Sequence, residues 1–270
     1  HKYGFPATTP KKVVVVGGGP GGMEAAVTAA QRGHSVTLYE KNSRLGGQIV
    51  HEQHIPFKKD MYHFIEVLAK RCEDAGVDIH LNTEVTPEEV AAMGADVVMT
   101  AVGAKPIIPQ IPGINSAKVV GLKALEGRQP SVGQKVAILG GGLVGSEVAI
   151  YLDMIGKDVT VVEMKDTWAS DAYWMHKVAM DKYIRDSRID IKVNTTAREI
   201  TDAGIVCNTP DGEILIEADT VLLAAGMKAD RASADGFLNT APRVFEIGDA
   251  IKAGRVVEAV KLGYYRALDI

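Results

Sequence analysis

Cysteine is scarce in this sequence, with Cys72 and Cys207 the only two among 270 residues. They are far apart, and neither lies in a CxxC or Cys/His cluster. We therefore expect no disulfide framework, no metal site and no iron–sulfur cluster held by this chain alone. Cys72 falls on the apolar face of an expected helix, which indicates a small buried side chain. Scarce cysteine also favours a cytoplasmic protein.

Long apolar runs and a strong charge of one sign are missing as well. No run approaches the roughly 18 apolar residues of a membrane-spanning helix, so we expect no membrane partner. The formal net charge is −4, which offers no electrostatic attraction for nucleic acid. With 46% hydrophobic and 24% charged residues, the chain has the composition of an ordinary globular protein.

Short β-branched runs alternate with helical stretches, a pattern typical of parallel βαβ units. We predict strands at 13–16 and 35–40 around a helix at 21–31. The same arrangement returns about 123 positions later, with strands at 135–139 and 158–163. The sequence therefore predicts an α/β fold with an internal duplication.

Other elements follow from periodicity and turn residues. A helix is predicted at 58–74, and Thr86-Pro87-Glu88-Glu89 reads as a capping box with proline at the first helical position. A hairpin is predicted around Asp211-Gly212. The apolar face of the helix at 58–74 is expected to consist of Met61, Phe64, Ile65, Leu68 and Cys72.

The first unit carries Gly17-x-Gly19-x-x-Gly22 between its first strand and its helix. Glycine permits the tight turn, close backbone approach to a pyrophosphate and close helix–strand packing, while the helix N-terminus attracts the phosphates. Glu40 ends the second strand, where a carboxylate accepts hydrogen bonds from an adenine ribose. Together these residues predict a dinucleotide site.

The second unit repeats the motif as Gly140-x-Gly142-x-x-Gly145, and Glu163 takes the place of Glu40. A carboxylate there suits the free 2′-hydroxyl of NADH and repels the 2′-phosphate of NADPH, although Lys165 lies close by. Two dinucleotide sites in one chain point to hydride transfer from a nicotinamide to a flavin, and no side chain is assigned as catalytic. Trp168 and Trp174 are candidates to shield a nicotinamide site, but we favour the interpretation that they are packing residues.

Several segments resemble the two-dinucleotide flavoprotein superfamily. They are 13–26, Arg44-Leu-Gly-Gly-Gln48, 101–113 and Glu246-Ile-Gly-Asp249. Within it, the order of segments is most similar to the C-terminal half of the 2,4-dienoyl-CoA reductase and enoate reductase group, in the NADH:flavin oxidoreductase (Old Yellow Enzyme-like) family. The resemblance runs from about Lys11 to Ile270.

That resemblance implies FAD and NADH as cofactors, with NADPH less favoured. It implies an FMN and iron–sulfur barrel ahead of this region, or an electron-acceptor protein, as partner. We expect the chain, which begins with His1, to be the reductase half of a longer enzyme. The FAD domain is expected at 1–108 and 226–270, with the NAD domain, 109–225, inserted into it.

The resemblance also assigns site residues. Gly17, Gly19 and Gly22 would hold the FAD pyrophosphate, and Glu40 would bind the ribose of its adenosine. Asp249 would bind the ribityl chain. The helix start near Ala259 would lie at the pyrimidine edge of the flavin. The further FAD residues are Lys41, Gly47, Gln48, Val85 and Gly103. The residues assigned to NAD are Gly140, Gly142, Gly145, Glu163 and Gly226.

Two alternatives stay open. A free-standing NADH dehydrogenase or ferredoxin reductase would use the same two sites with a separate acceptor. A structural domain that holds ADP without redox chemistry is the other alternative, because trimethylamine dehydrogenases keep this fold with ADP in place of FAD. The missing CxxC disfavours a thioredoxin reductase. The segment where the chain passes from the FAD domain to the NAD domain is Ala101-Val102-Gly103, whereas the superfamily usually has threonine at the middle position.

Overall fold

A computed structural model describes residues 5–127 and 129–270; His1 lies outside them. The described strands are β1 Lys12–Val16, β2 Ser35–Tyr39, β3 Asp78–His80, β4 Val97–Thr100, β5 Ala104–Pro106, β6 Val119–Val120, β7 Lys135–Leu139, β8 Asp158–Val162, β9 Asp190–Lys192, β10 Thr196–Thr201, β11 Gly204–Thr209, β12 Gly212–Glu217, β13 Thr220–Leu223, β14 Met227–Ala229 and β15 Arg243–Glu246. The helices are α1 Pro20–Gln31, α2 Lys59–Asp74, α3 Pro87–Ala92, α4 Leu143–Met154, α5 Trp174–Arg185, α6 Arg231–Asp235 and α7 Val256–Leu268. Within the described ranges, no helix combines the length and apolar character needed to cross a membrane.

The chain divides into two compact units. The first unit consists of the described residues up to Val50 together with Asp60–Lys105 and Met227–Ile270. The second unit consists of His51–Lys59 and Pro106–Gly226. The predicted boundaries placed residues 51–59 with the first glycine motif, whereas the structure groups them with the second unit. These residues join the second unit because Ile55 is buried in its core.

A parallel sheet of order β15-β4-β1-β2-β3 forms the centre of the first unit. Val13 and Val15 face one core, which helices α1, α2 and α7 complete. Val14 and Val16 face the opposite core beside Phe237. β1 is therefore buried on both faces, as its unbroken run of valines predicts.

The second unit repeats the plan with a parallel sheet of order β6-β13-β7-β8-β9. One face packs against helices α4 and α5. The antiparallel β10-β11-β12 sheet covers the other face, with Ile205 and Cys207 buried in that core. The predicted α/β fold with parallel, Rossmann-like sheets is confirmed.

Two local predictions have different outcomes. The capping box is confirmed, since the Thr86 hydroxyl accepts from the Glu89 N–H and the Glu89 carboxylate accepts from the Thr86 N–H. The apolar face of α2 is only partly buried. Ile65, Leu68 and Cys72 lie in the core, whereas Met61 and Phe64 are 42% and 37% exposed. The buried stripe is narrower than the apolar pattern because only one side of α2 meets the sheet.

Candidate functional site

The first glycine turn joins β1 to α1 and forces backbone atoms into close contact. A Cβ at Gly17 would collide with the carbonyl of Ala101, and one at Gly22 would collide with the carbonyl of Gly17. Gly17 also has a φ of +109°, which favours glycine. Gly19 is different, because a Cβ there would meet only the Cα of Gly47, at 4.0 Å. This open side leaves room for a ligand to approach the backbone.

Glu40 is held rigidly beside that turn. Its Oε2 accepts a hydrogen bond from the Gly18 N–H at 2.7 Å, and its Oε1 accepts one from the Asn42 N–H at 2.8 Å. The side chain is buried although it is ionisable. Lys41, the next residue, is exposed. The two backbone N–H groups compensate for burial of the carboxylate and fix its direction.

Two more segments are brought to the turn. The Gly46 N–H donates to the Gly18 carbonyl at 2.9 Å, which places Gly47 against Gly19 and leaves Gln48 exposed. The Thr83 N–H donates to the Glu40 carbonyl at 2.9 Å, which brings the chain around half-buried Val85 to the same strand end.

Asp249 and α7 complete the set from the C-terminal part of the chain. Burial raises the pKa of Asp249 above its usual range, although the Gly254 N–H, which donates to its carboxylate, opposes the rise. α7 begins at Val256, and the Ala259 N–H already donates to the Arg255 carbonyl. The free amides at this helix start therefore precede Ala259, which corrects the predicted start.

The glycine turns pack α1 closely against other elements. A Cβ at Gly21 would lie 3.0 Å from the carbonyl oxygen of Ala259, and one at Gly263 would overlap the carbonyl of Gly21. α1 and α7 thus meet backbone to backbone. The predicted site residue Gly103 lies apart from these contacts, and its carbonyl accepts from the Asp230 N–H at 3.3 Å.

The second glycine turn reproduces the first at a constant offset of 123 residues. A Cβ at Gly140 would collide with the carbonyl of Ala224, and one at Gly145 would collide with the carbonyl of Gly140. The Glu163 Oε2 accepts from the Gly141 N–H at 2.8 Å, and its Oε1 accepts from the Lys165 N–H at 2.8 Å. Glu163 is buried, as Glu40 is.

The remaining residues assigned to the second site have different surroundings. Gly142 lies beside Asp171, whose Oδ1 would be 3.4 Å from a Cβ at that glycine. The Gly226 carbonyl accepts from the Ile107 N–H at 2.9 Å, two residues beyond the Ala224 carbonyl that faces Gly140.

A buried charged cluster in the second unit was not predicted from the sequence. Lys58 forms an ion pair with Glu52, and its Nζ lies 2.5 Å from Oε2 of Glu147. His176 Nε2 lies 3.4 Å from the other oxygen of Glu147. Burial opposes the charge on Lys58, but the two carboxylates outweigh it and raise its pKa. The sequence feature that could have indicated this cluster is Glu147, a charged residue within the apolar run of α4.

The two tryptophans differ. Trp168 packs against the α4 core, and Lys177 Nζ lies 5.1 Å from its ring centroid, so the packing interpretation is confirmed there. For Trp174 it is wrong, because this side chain is 72% exposed at the start of α5.

The cysteines are inert. Burial raises the pKa of the Cys72 thiol to about 12 and that of Cys207 to about 11. Cys72 is fully buried, as predicted. A thiolate nucleophile is therefore not available at neutral pH.

Two curated relatives are similar to this chain in sequence, and one solved structure is similar to it in fold. A cinnamate reductase of Clostridium sporogenes is 37% identical over 96% of this chain, and an NADH oxidase of Thermoanaerobacter brockii is 34% identical over 98%. The structure of a 2-naphthoyl-CoA reductase complex superposes with a TM-score of 0.93 at 35% identity over 99% of the chain. The chain spans about two fifths of each: 39%, 42% and 41% respectively.

These similarities confirm the resemblance to the enoate and 2,4-dienoyl-CoA reductase group. The partial coverage of the relatives fits a module of a larger enzyme, and the module is an FAD-dependent oxidoreductase that binds a pyridine nucleotide. The sequence profile described as "Pyridine nucleotide-disulphide oxidoreductase" matches residues 11–263, and the chain therefore belongs to that family.

Proposed function

We propose that the first unit binds FAD, that the second unit binds NADH, and that the protein delivers the electrons of NADH to a partner domain. The observation that carries this proposal is the repeated glutamate–glycine contact, Glu40 to Gly18 at 2.7 Å and Glu163 to Gly141 at 2.8 Å. In each case the carboxylate is fixed beside a turn that only glycine can form. Each turn opens a helix whose N-terminus attracts phosphate.

The residues of the first unit fit FAD. The open side of Gly19 suits a pyrophosphate. Glu40 accepts from the Gly18 N–H, the Asn42 N–H and the Asn42 side-chain amide, which leaves one lone-pair site of its carboxylate for a ribose hydroxyl. The Asp249 carboxylate oxygens can accept hydrogen bonds from the hydroxyl groups of a polyol chain. When bound, FAD would supply the hydride-accepting chemistry that side chains lack.

The second unit favours NADH over NADPH. Glu163 is buried, and its negative charge would repel a 2′-phosphate placed at the ribose. Lys165 is the residue that would counter this, but its Nζ donates to the Ser170 hydroxyl at 3.0 Å. The lysine is thus engaged within its own loop, which supports NADH.

The partner is proposed from the length of the relatives. Since this chain spans about two fifths of the cinnamate reductase and the NADH oxidase, the final acceptor would lie outside it. We propose an FMN and iron–sulfur barrel of the same protein, or a separate acceptor protein. We also propose the cytoplasm as its compartment, on the scarcity of cysteine.

The test compares the cofactor selectivity of wild type with that of Glu163→Gln. This substitution removes the charge and keeps a side-chain oxygen that accepts from the Gly141 N–H. We expect the ratio of kcat/KM for NADH over NADPH to fall by about tenfold in this variant, or about 1.4 kcal/mol. Glu40→Gln is the matched control in the first unit and should lower flavin content without changing that ratio. Wild-type preference for NADPH would contradict the proposal.

A further inference from the structure

The two duplicated units carry different residues at one position beside the glycine turn, and the residue in the second unit is charged. In both units the loop after the second strand returns to the turn: the Gly46 N–H donates to the Gly18 carbonyl, and the Ala169 N–H donates to the Gly141 carbonyl. These residues are again 123 positions apart. Two positions further, the first unit has Gln48 and the second has Asp171. The equivalence therefore places a carboxylate where the first unit has a neutral amide.

Asp171 is bound to the beginning of α4. Its Oδ1 accepts a hydrogen bond from the Leu143 N–H at 2.8 Å, and Leu143 is the first residue of that helix. The equivalent residue in the first unit is Pro20, which has no N–H to donate. Gln48 is exposed. The first turn is thus open to an anion, whereas the second has a resident carboxylate.

The loop that carries Asp171 is held in place. Ala169 is buried and has a φ of +45°, at the position where the first unit uses Gly46 with a φ of +123°. Lys177 Nζ donates to the Trp168 carbonyl at 2.9 Å, just before it. A non-glycine residue in the left-handed region persists only where its surroundings enforce it. The surrounding contacts therefore fix the path of the chain that leads to Asp171.

A helix N-terminus attracts anions through its partial positive charge and free N–H groups. A side-chain carboxylate at that point satisfies one N–H and adds a negative charge beside Gly142. A dinucleotide pyrophosphate on the same turn would either displace Asp171 or bind next to its charge. Either event weakens binding of the pyrophosphate, and the first unit has no equivalent penalty at Gln48.

We propose that Asp171 competes with the pyrophosphate of the pyridine nucleotide and keeps that cofactor exchangeable, while the first site retains its flavin. This inference rests on the proposed function, because it takes the second unit as the NADH site. A hydride donor must leave after each turnover, whereas a flavin acts repeatedly in place. Asp171 is accordingly a residue that sets affinity and does not touch the reacting atoms.

The test measures dissociation constants on the flavin-loaded protein. Asp171→Asn removes the charge and keeps an acceptor for the Leu143 N–H, so it should bind NADH about two- to five-fold more tightly than wild type, the gain expected for an exposed charge at a helix N-terminus. ADP should gain similarly, and adenosine, which has no phosphate, should not gain. Asp166→Asn removes a charge from an exposed position in the same loop and should leave the affinity for NADH unchanged.

Asp171→Ser is the second variant, in case Asp171→Asn does not fold, and we expect the same gain because it also removes the carboxylate charge. Unchanged or weaker NADH binding in a folded neutral variant would overturn the inference and leave the proposed function standing. An equal gain in Asp166→Asn would also overturn it, because the effect would then be general electrostatics. If flavin-loaded wild type does not bind NADH at all, the proposed function fails first.

Discussion

The ammonium group of Lys58 lies 2.5 Å from a carboxylate oxygen of Glu147, although the two residues are distant in the sequence. Both side chains are nearly excluded from solvent, and Glu52 pairs with the same ammonium group. The contact fastens the segment His51–Lys59 to α4 within the second unit. A charge cluster buried to this degree makes the segment's position costly to change.

We predict that Lys58→Met destabilises the protein by about 3–5 kcal/mol, because two carboxylates would stay buried without their counter-charge. Urea unfolding of the variant against wild type measures this loss. Lys135→Met is the control, since Lys135 pairs with Glu217 on the exposed surface and should change stability little. Equal effects of the two substitutions would show that burial of the Lys58 pair has no special weight.

The same pair predicts a pH dependence. The folded pKa of Lys58 is raised above its unfolded value of 10.5. Its contribution to stability is therefore complete below about pH 10.5 and is lost as the pH rises through the folded pKa. The difference in unfolding free energy between wild type and Lys58→Met should stay constant from about pH 7 to 9 and shrink above about pH 10.5. A difference that grows with pH would contradict this assignment.

The sequence predicts the local features of this site better than the contacts between residues that are distant in the chain. The turns around Gly17 and Gly140 were predictable because glycine spacing reports a local backbone constraint, and each glutamate lies at a fixed distance along the chain. The association of His51–Lys59 with the second unit was not, because Glu147, which pairs with Lys58, and the core residues around Ile55 are distant from this segment in the sequence. Periodicity carries no information about such pairings.

The sequence also predicted the first and last residues of helices less well. α7 starts at Val256, a few residues before the start near Ala259 that the resemblance implied, and Arg255 is not a usual N-cap residue that would mark this start in the sequence. Exposed Met61 and Phe64 show the same limit for faces: an apolar pattern marks which residues can be buried, and packing against the sheet decides which are.

We predict that a larger residue in each glycine turn weakens binding of the cofactor proposed for that unit. Gly22→Ala should reduce flavin content, and Gly145→Ala should reduce NADH binding, because each added methyl group would meet a backbone carbonyl of its own turn that cannot move aside. Overpacking of this kind typically costs about 1–3 kcal/mol of stability. Flavin absorbance and NADH titration distinguish the two variants. Gly121→Ala is the control, since a Cβ there meets open space, and its loss of either cofactor would contradict the steric argument.

The thiols predict chemical inertness. With pKa values of about 12 for Cys72 and about 11 for Cys207, both stay protonated at neutral pH. Iodoacetamide should modify neither in the native protein within an hour, and both after unfolding, as mass spectrometry would show. Cys72→Ala and Cys207→Ala variants should retain NADH-dependent flavin reduction. Rapid alkylation of the native protein, or loss of reduction in these variants, would indicate thiol chemistry at one of the two cysteines.

The most direct test of two cooperating dinucleotide sites is an anaerobic absorbance spectrum of the purified protein before and after addition of NADH. We predict flavin peaks that bleach on addition of NADH and bleach less readily with NADPH. A protein that stays colourless after incubation with FAD and yet binds ADP would contradict this prediction, and would indicate a nucleotide-holding structural domain instead.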